Sequence, residues 1–250
     1  MTISTINPRG YPTRQTGYTH IRRSSTTHKR FSENSRTRAL GILFLDELPE
    51  FSRAALETLR QPLEDREVTV SRVEATVTYP ANFQLVAAMN PCPCGHFPDL
   101  ARCRCTEGQI TRYLQKISGP LLDRIDLCVE ASPVTYGDIR GGGENEASGA
   151  IRARVEQARE IQKERFMEEN IRCNGEMAGR HIRKYCVLGK EEETFMEEIF
   201  EKLALSARMH DRILKVARTT ADLAGASEIR LSDLCEAVSY VKSREKFWGN

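Results

Sequence analysis

The segment Gly41-Ile42-Leu43-Phe44-Leu45-Asp46-Glu47 limits the folds open to this chain more than any other stretch. Four large apolar residues end abruptly in two adjacent carboxylates. So short and so apolar a run predicts a strand buried on both faces, the usual state of a parallel strand in an α/β sheet. Asp46 and Glu47 then fall at its carboxyl end, where open α/β sheets gather their ligands. Nucleotide hydrolysis needs one carboxylate near Mg²⁺ and a second to orient or deprotonate the attacking water. The pair supplies both parts of a Walker B pattern. A core strand followed by an acidic turn is the plainer alternative, because the pattern is uncommon but not unique.

At 250 residues the chain has room for one or two domains with a substantial core. Its hydrophobic content of 40% and charged content of 29% are those of a soluble globular protein. No apolar run approaches the length of a membrane span, and the N-terminus lacks the apolar region of a secretory signal. Eight cysteines without such a signal predict a reducing, cytoplasmic setting and favour metal binding over disulfides. The net charge of +2 hides an asymmetry: residues 1–40 carry eight Lys/Arg and a single acid, Glu33. The rest is mildly acidic, so overall charge makes no case for nucleic-acid binding. Residues 1–38 are rich in Arg, Ser and Thr, lack periodicity, and read as a disordered basic leader. Their composition also fits a transit peptide or a nucleic-acid arm.

After Glu47, apolar residues at Ala55, Leu56, Leu59 and Leu63 predict a helix over 53–63. The β-rich runs 68–70 and 75–79, separated by polar residues, predict a hairpin. Residues 83–89 read as a second buried strand ending at Asn90-Pro91, 108–117 as a helix, and 127–129 as a short strand. Gly141-Gly142-Gly143 marks a linker over 141–149. Beyond it the pattern is helical, over 150–167 and 191–203. A helix over 207–223 is capped by Ser206 and stopped by Gly225. A last helix runs from a Ser232 cap through Val241. The expected organisation is an α/β part over 39–140 followed by a small all-α part over 150–250.

Several polar residues fall where chemistry would need them. If Asp46 and Asn90 end neighbouring parallel strands, the Asn90 amide can sense the γ-phosphate or the attacking water; a strand-end Asn is otherwise a turn former. Arg124 lies between Asp123 and Asp126, either as a salt-bridged surface residue or as an arginine finger for a neighbouring subunit's site. Arg208 sits in the first turn of a helix whose dipole prefers anions there, which points to an anionic partner such as a phosphate. The same helix also offers Arg212, Lys215 and Arg218. Cys92, Cys94, Cys103 and Cys105 gather four thiols within a short loop, a density that favours a tetrahedral Zn²⁺ site. The phosphate-loop pattern G-x-x-x-x-G-K-[S/T] is not found. Gly189-Lys190 is no substitute, because three acids follow it.

Together the stretches 41–51 (GILFLDELPEF), 87–95 (AAMNPCPCG), 118–127 (SGPLLDRIDL) and 206–224 (SARMHDRILKVARTTADLA) resemble the Mg-chelatase-like AAA+ ATPases, and within them the bacterial ComM/YifB group. The resemblance runs from about residue 39 to 241. It implies an incomplete AAA+ P-loop-type α/β core followed by a helical lid. It implies ATP and Mg²⁺ as cofactors, with Asp46 at the metal and Glu47 activating water. Asn90 would be the first sensor, Arg124 a finger acting in trans, and Arg208 the second sensor. The cysteine loop matches a cluster typical of the ComM-like group. Family members form hexameric rings with no membrane partner. The ComM-like group is associated with DNA branch migration in transformation, and related chelatase subunits with Mg²⁺ insertion into a porphyrin. In this family the phosphate loop, its strand and a protease-like domain precede Walker B. Here forty residues precede it and do not resemble the family. The expectation is therefore a C-terminal fragment with an unrelated leader, unable to hydrolyse ATP alone, whose sheet lacks its central strand and exposes an edge. The alternative expectation is a zinc-stapled DNA- or protein-interaction module on an AAA+ remnant.

Overall fold

The computed structural model describes residues 3–5, 41–71, 76–131, 136, 140 and 146–248, which divide into two units, 1–126 and 127–250. In the first, the strand predicted from the apolar run is present as β2 (Gly41–Leu45). It lies between β1 (Ile3–Thr5) and β5 (Phe83–Ala87), and both pair with it in parallel. The leader, expected to lack regular structure, thus contributes a three-residue strand; the rest of 1–40 lies outside the described residues. β2 is less enclosed than its sequence predicts. Only Leu45 is fully buried, while Gly41–Phe44 are half-buried. Strands flank both edges of β2, so what exposes its middle is the lack of described residues packed over the faces of the sheet. Burial concentrates instead beyond its carboxyl end, at Leu48, Phe51, Leu56, Tyr113, Leu114, Ile117, Leu121 and Leu122.

The helix expected over 53–63 is broken into α1 (Arg53–Glu57) and α2 (Arg60–Asp65). Pro62 has no N–H to give residue 58, and its ring crowds that carbonyl, so the helix breaks one turn before it. Ser52 caps α1, its hydroxyl accepting from the Ala55 N–H at 3.2 Å. The hairpin forms as β3 (Glu67–Ser71) antiparallel to β4 (Thr76–Pro80), joined across strands by Thr69 and Thr78 hydroxyls 3.1 Å apart. α3 (Glu107–Leu114) starts in a capping box: Thr106 Oγ1 accepts from the Gln109 N–H, and Gln109 Oε1 accepts from the Thr106 N–H. α4 (Gly119–Leu122) is capped by Ser118.

In the second unit residues 127–129 do not form the expected strand. No partner strand is present among the described residues of this unit, and Val129 is 75% exposed. Residues 141–145 of the expected linker lie outside the described residues. The unit is helical: α5 (Ser148–Arg165), α6 (Gly179–Tyr185), α7 (Lys190–Lys202), α8 (Ala207–Leu223) and α9 (Leu231–Trp248). Their apolar faces meet around Ile213, Leu214, Ala217, Leu234, Ala237, Val238 and Val241. Ser206 caps α8 through the Met209 N–H, and Gly225 (φ +66°) follows it in the left-handed conformation that glycine adopts most easily. Ser232 does not cap α9. The helix begins one residue earlier, where the Asp233 carboxylate accepts from the Arg230 N–H at 2.9 Å, and it runs on to Trp248.

One buried polar network ties α5, the 174–176 turn and α8. Asp222, fully enclosed, accepts from Arg165 at 2.5 and 2.7 Å, from Asn174 Nδ2 at 2.8 Å and from Arg218 Nε at 3.1 Å. Arg218 also donates to the Ser227 and Ala226 carbonyls, closing the loop after α8. Each charge in the cluster has hydrogen-bonded company, the condition for burying it at tolerable cost.

Candidate functional site

The strand register decides which polar residues of the first unit meet. Leu45 of β2 stands opposite Ala87 of β5, so Asp46 and Asn90 follow the carboxyl ends of adjacent parallel strands. Two bonds fasten those ends just past the sheet: Ala88 N–H to Leu45 O at 2.9 Å, and Leu48 N–H to Ala88 O at 3.0 Å. Between them Glu47 adopts φ 52°, ψ 49°, a left-handed conformation that non-glycine residues avoid at a cost of about 1–2 kcal/mol. Three contacts hold it there: the Glu47 N–H on Asp46 Oδ1 (3.0 Å), the Glu50 N–H on Glu47 O (2.8 Å), and the Leu48 bond above. The chain turns sharply outward, leaving Asp46, Glu47 and Asn90 all exposed at one end of the sheet.

Tyr113 of α3 is buried within reach of Glu47 and Asn90. Burial together with the charges of Glu50, Cys92 and Glu47 pushes its pKa up, against a smaller downward pull from the Asn90 backbone N–H. Sequence reasoning missed this residue. Its only signal was a bulky aromatic on the apolar side of the predicted 108–117 helix, which reads as ordinary core.

The four loop cysteines converge. Their sulfurs all lie within 4.8 Å of one another, with Cys92–Cys94 at 3.4 Å, Cys94–Cys103 at 3.6 Å and Cys92–Cys103 at 3.8 Å. A tetrahedral Zn²⁺ with bonds of about 2.3 Å sets its sulfurs about 3.8 Å apart, so the donor set and its size fit that ion. Backbone N–H groups point at the sulfurs: Phe97 donates to Cys92 at 3.4 Å, and the His96 and Arg104 N–H groups pull the Cys94 thiol down to about 6. Cys105 is pushed up to about 12 by burial and by its neighbour Cys94. Cys103 receives the Cys105 N–H, yet burial and the Cys94 and Cys92 sulfurs raise it. Thiols packed this closely cannot all ionise unless a cation balances them.

Arg124 is held within its own unit. It pairs with Glu64 of α2, donates to the Pro120 carbonyl at 2.6 Å, and its side chain is only 17% exposed. Its partner lies sixty residues away in sequence, beyond the reach of a local motif. Arg208, in the second unit, is exposed in the first turn of α8 and has no ion pair among the described residues. Of the other cations on that helix, Arg218 is committed to Asp222, and Lys215 reaches the Gly175 carbonyl at 3.5 Å.

Among the described residues no helix is long and apolar enough to cross a membrane. The profile of magnesium chelatase, subunit ChlI, matches residues 27–139, so the likeness begins inside the stretch expected to be an unrelated leader, and that of the subunit ChlI C-terminal region matches residues 145–241. The competence protein ComM of Haemophilus influenzae is 45% identical over 201 residues, covering 80% of this chain and 38% of that protein. The uncharacterized protein YifB of Salmonella typhimurium is 46% identical over 201 residues, covering 80% and 39%. An uncharacterized protein of Mycobacterium tuberculosis is 39% identical over 200 residues. The chain spans about two fifths of the length of these relatives. With both profiles matched in order and relatives this similar across four fifths of its length, the chain belongs to the magnesium chelatase subunit ChlI family, on its ComM/YifB side.

Proposed function

We propose that this chain supplies the carboxylate and sensor side of an ATP-hydrolysing site in a ring motor of the ComM/YifB type, acting on DNA. The observation that carries this is the placement of Asp46 and Asn90 after the ends of adjacent parallel strands, with Glu47 held in a left-handed turn between them. Asp46 is the residue to hold Mg²⁺, a hard cation suited to carboxylate oxygen. Bound there, the ion would neutralise phosphate charge. Glu47 takes the proton of the attacking water. Asn90 aligns that water or the γ-phosphate by hydrogen bonding. Arg124 acts as a finger toward a neighbouring subunit in a hexamer, which requires it to leave Glu64. Arg208 answers to phosphate from the helical unit. The cysteine cluster holds Zn²⁺, with Cys92, Cys94, Cys103 and Cys105 as its four thiolates.

These 250 residues contain no phosphate loop, so their backbone does not provide the N–H cradle and lysine that bind most of the phosphate charge. On its own the chain should release phosphate no faster than its Glu47→Gln variant; clearly faster release contradicts the need for that loop. The positive test joins residues 41–248 to the upstream part of the Salmonella relative. Hydrolysis should appear and fall about 100-fold or more with Glu47→Gln or Asn90→Ala. Hydrolysis indifferent to both substitutions refutes the assignment. A second reading is favoured by one observation, the geometrically complete cysteine cluster. If the chimera stays inactive while zinc-loaded chain binds DNA, the fold serves here as a stapled interaction module.

A further inference from the structure

The cysteine loop and Asn90 are parts of one mechanical unit. Asn90 stands two residues before Cys92, whose side chain is completely buried. The chain then doubles back at Gly95, which adopts φ +80°. A Cβ built there would lie 3.8 Å from both Cγ and Oδ1 of Asn90, so Gly95, the residue after the first cysteine pair, stands beside the Asn90 carboxamide with room for one carbon between them. The second pair acts on the other side. Cys105 directly precedes Thr106, the N-cap of α3, and α3 carries Tyr113, whose buried phenol has the Asn90 N–H among its near neighbours. Tyr113 is 7% exposed, so its ring has little room to move. The loop between the two cysteine pairs has few apolar residues of its own to hold it, and Leu100 within it is 82% exposed.

We propose that the four-cysteine clip and Tyr113 together position the Asn90 segment: the clip keeps Gly95 beside the carboxamide and fixes the start of α3, and Tyr113 holds its main chain. Asn90 is the group that would meet the nucleotide, and Tyr113 is a positioning residue. The relevance to hydrolysis rests on the sensor role proposed for Asn90; the mechanical coupling does not.

The test is NMR on the ¹⁵N-labelled, zinc-loaded chain without nucleotide. The Asn90 side-chain amide pair is identified as the signals lost in Asn90→Asp. Stripping zinc with a chelator should shift and broaden those signals and the Tyr113 ring resonances, and added zinc should restore them. The Trp248 indole signal in the second unit should stay in place. Tyr113→Phe keeps the ring and removes the acceptor. It should shift the Asn90 amides and speed hydrogen exchange of the Asn90 backbone N–H about tenfold, with zinc content unchanged. Asn90 signals that ignore zinc removal, or an Asn90 exchange rate unaltered by Tyr113→Phe, overturn the proposal. Since no nucleotide is present, that result leaves the hydrolysis reading standing, and an inactive chimera leaves the coupling standing.

Discussion

Replacing Asp222 by alanine removes the one carboxylate that two enclosed guanidiniums share. In the intact network its oxygens accept from Arg165, Arg218 and Asn174 at 2.5–3.1 Å. The side chain has no exposure at all, and those of Arg165 and Arg218 have 13% and 3%. Water therefore cannot replace the lost partner. Removing one member of a buried ion pair costs about 3–5 kcal/mol, because the charge left behind is uncompensated. Here two cations are left behind, so the upper half of that range is expected. The assay is urea unfolding followed by fluorescence of Trp248, the single tryptophan, which belongs to the second unit. With a slope of about 1.5 kcal/mol per molar, the midpoint should fall by roughly 3 M. A double-mutant cycle with Arg165→Met should recover part of the loss, since the second change deletes one stranded charge. A fall of less than about 1 kcal/mol would refute the reasoning, because it would mean that solvent reaches the guanidiniums once the carboxylate is gone.

Other perturbations isolate single effects. The Glu169 carboxyl is held below its usual range by hydrogen bonds from Lys184 and Tyr185. A depressed acid stabilises the fold above its unfolded pKa and loses that contribution as pH falls through the folded value, so below about pH 5 the Glu169→Gln variant should show a shallower acid-side loss of stability than the parent; equal slopes count against the pairing. Gly225→Ala meets no atom within 4 Å but must keep φ +66°, so thermal unfolding should show a loss of about 1 kcal/mol from backbone strain alone. Cys105→Ser should lower the zinc retained through gel filtration well below one equivalent per chain, whereas Cys235→Ser, outside the cluster, should leave it unchanged. Glu64→Gln should release Arg124 from its pair and raise its reactivity toward phenylglyoxal; unchanged reactivity would mean that the Pro120 carbonyl suffices to hold it.

Local signals carried far along this chain. The run at 41–45 named its own strand, Ser206 and Gly225 bracketed α8, and the two β-rich runs formed their hairpin, because each depends on contacts within a few residues. The four cysteines advertised their cluster by density. The errors lie where longer-range facts intervene. Leu127–Val129 had the composition of a strand and no described neighbour to pair with. Ser232 looked like a cap until Asp233 took the role from inside the helix, reaching back to the Arg230 N–H. The break at residues 58–59 was legible in principle, since Pro62 imposes it one turn upstream.

Sequence alone therefore determined the identity of the candidate groups and their order: paired carboxylates after an apolar strand, an asparagine after a second strand, thiols in a loop, and arginines near two helices. Tertiary structure decided which of these are neighbours. Parallel pairing of β2 with β5 set Asp46 beside the Asn90 segment, and the turn beyond forced Glu47 into its left-handed backbone. Arg124 met Glu64 across sixty residues, and Arg218 was withdrawn from solvent by Asp222. Tyr113 was buried within reach of the Asn90 backbone N–H. The first of these entered the sequence reading only as a condition and the rest not at all, since a sequence records spacing along the chain while charge pairing, strain and desolvation depend on distance through space.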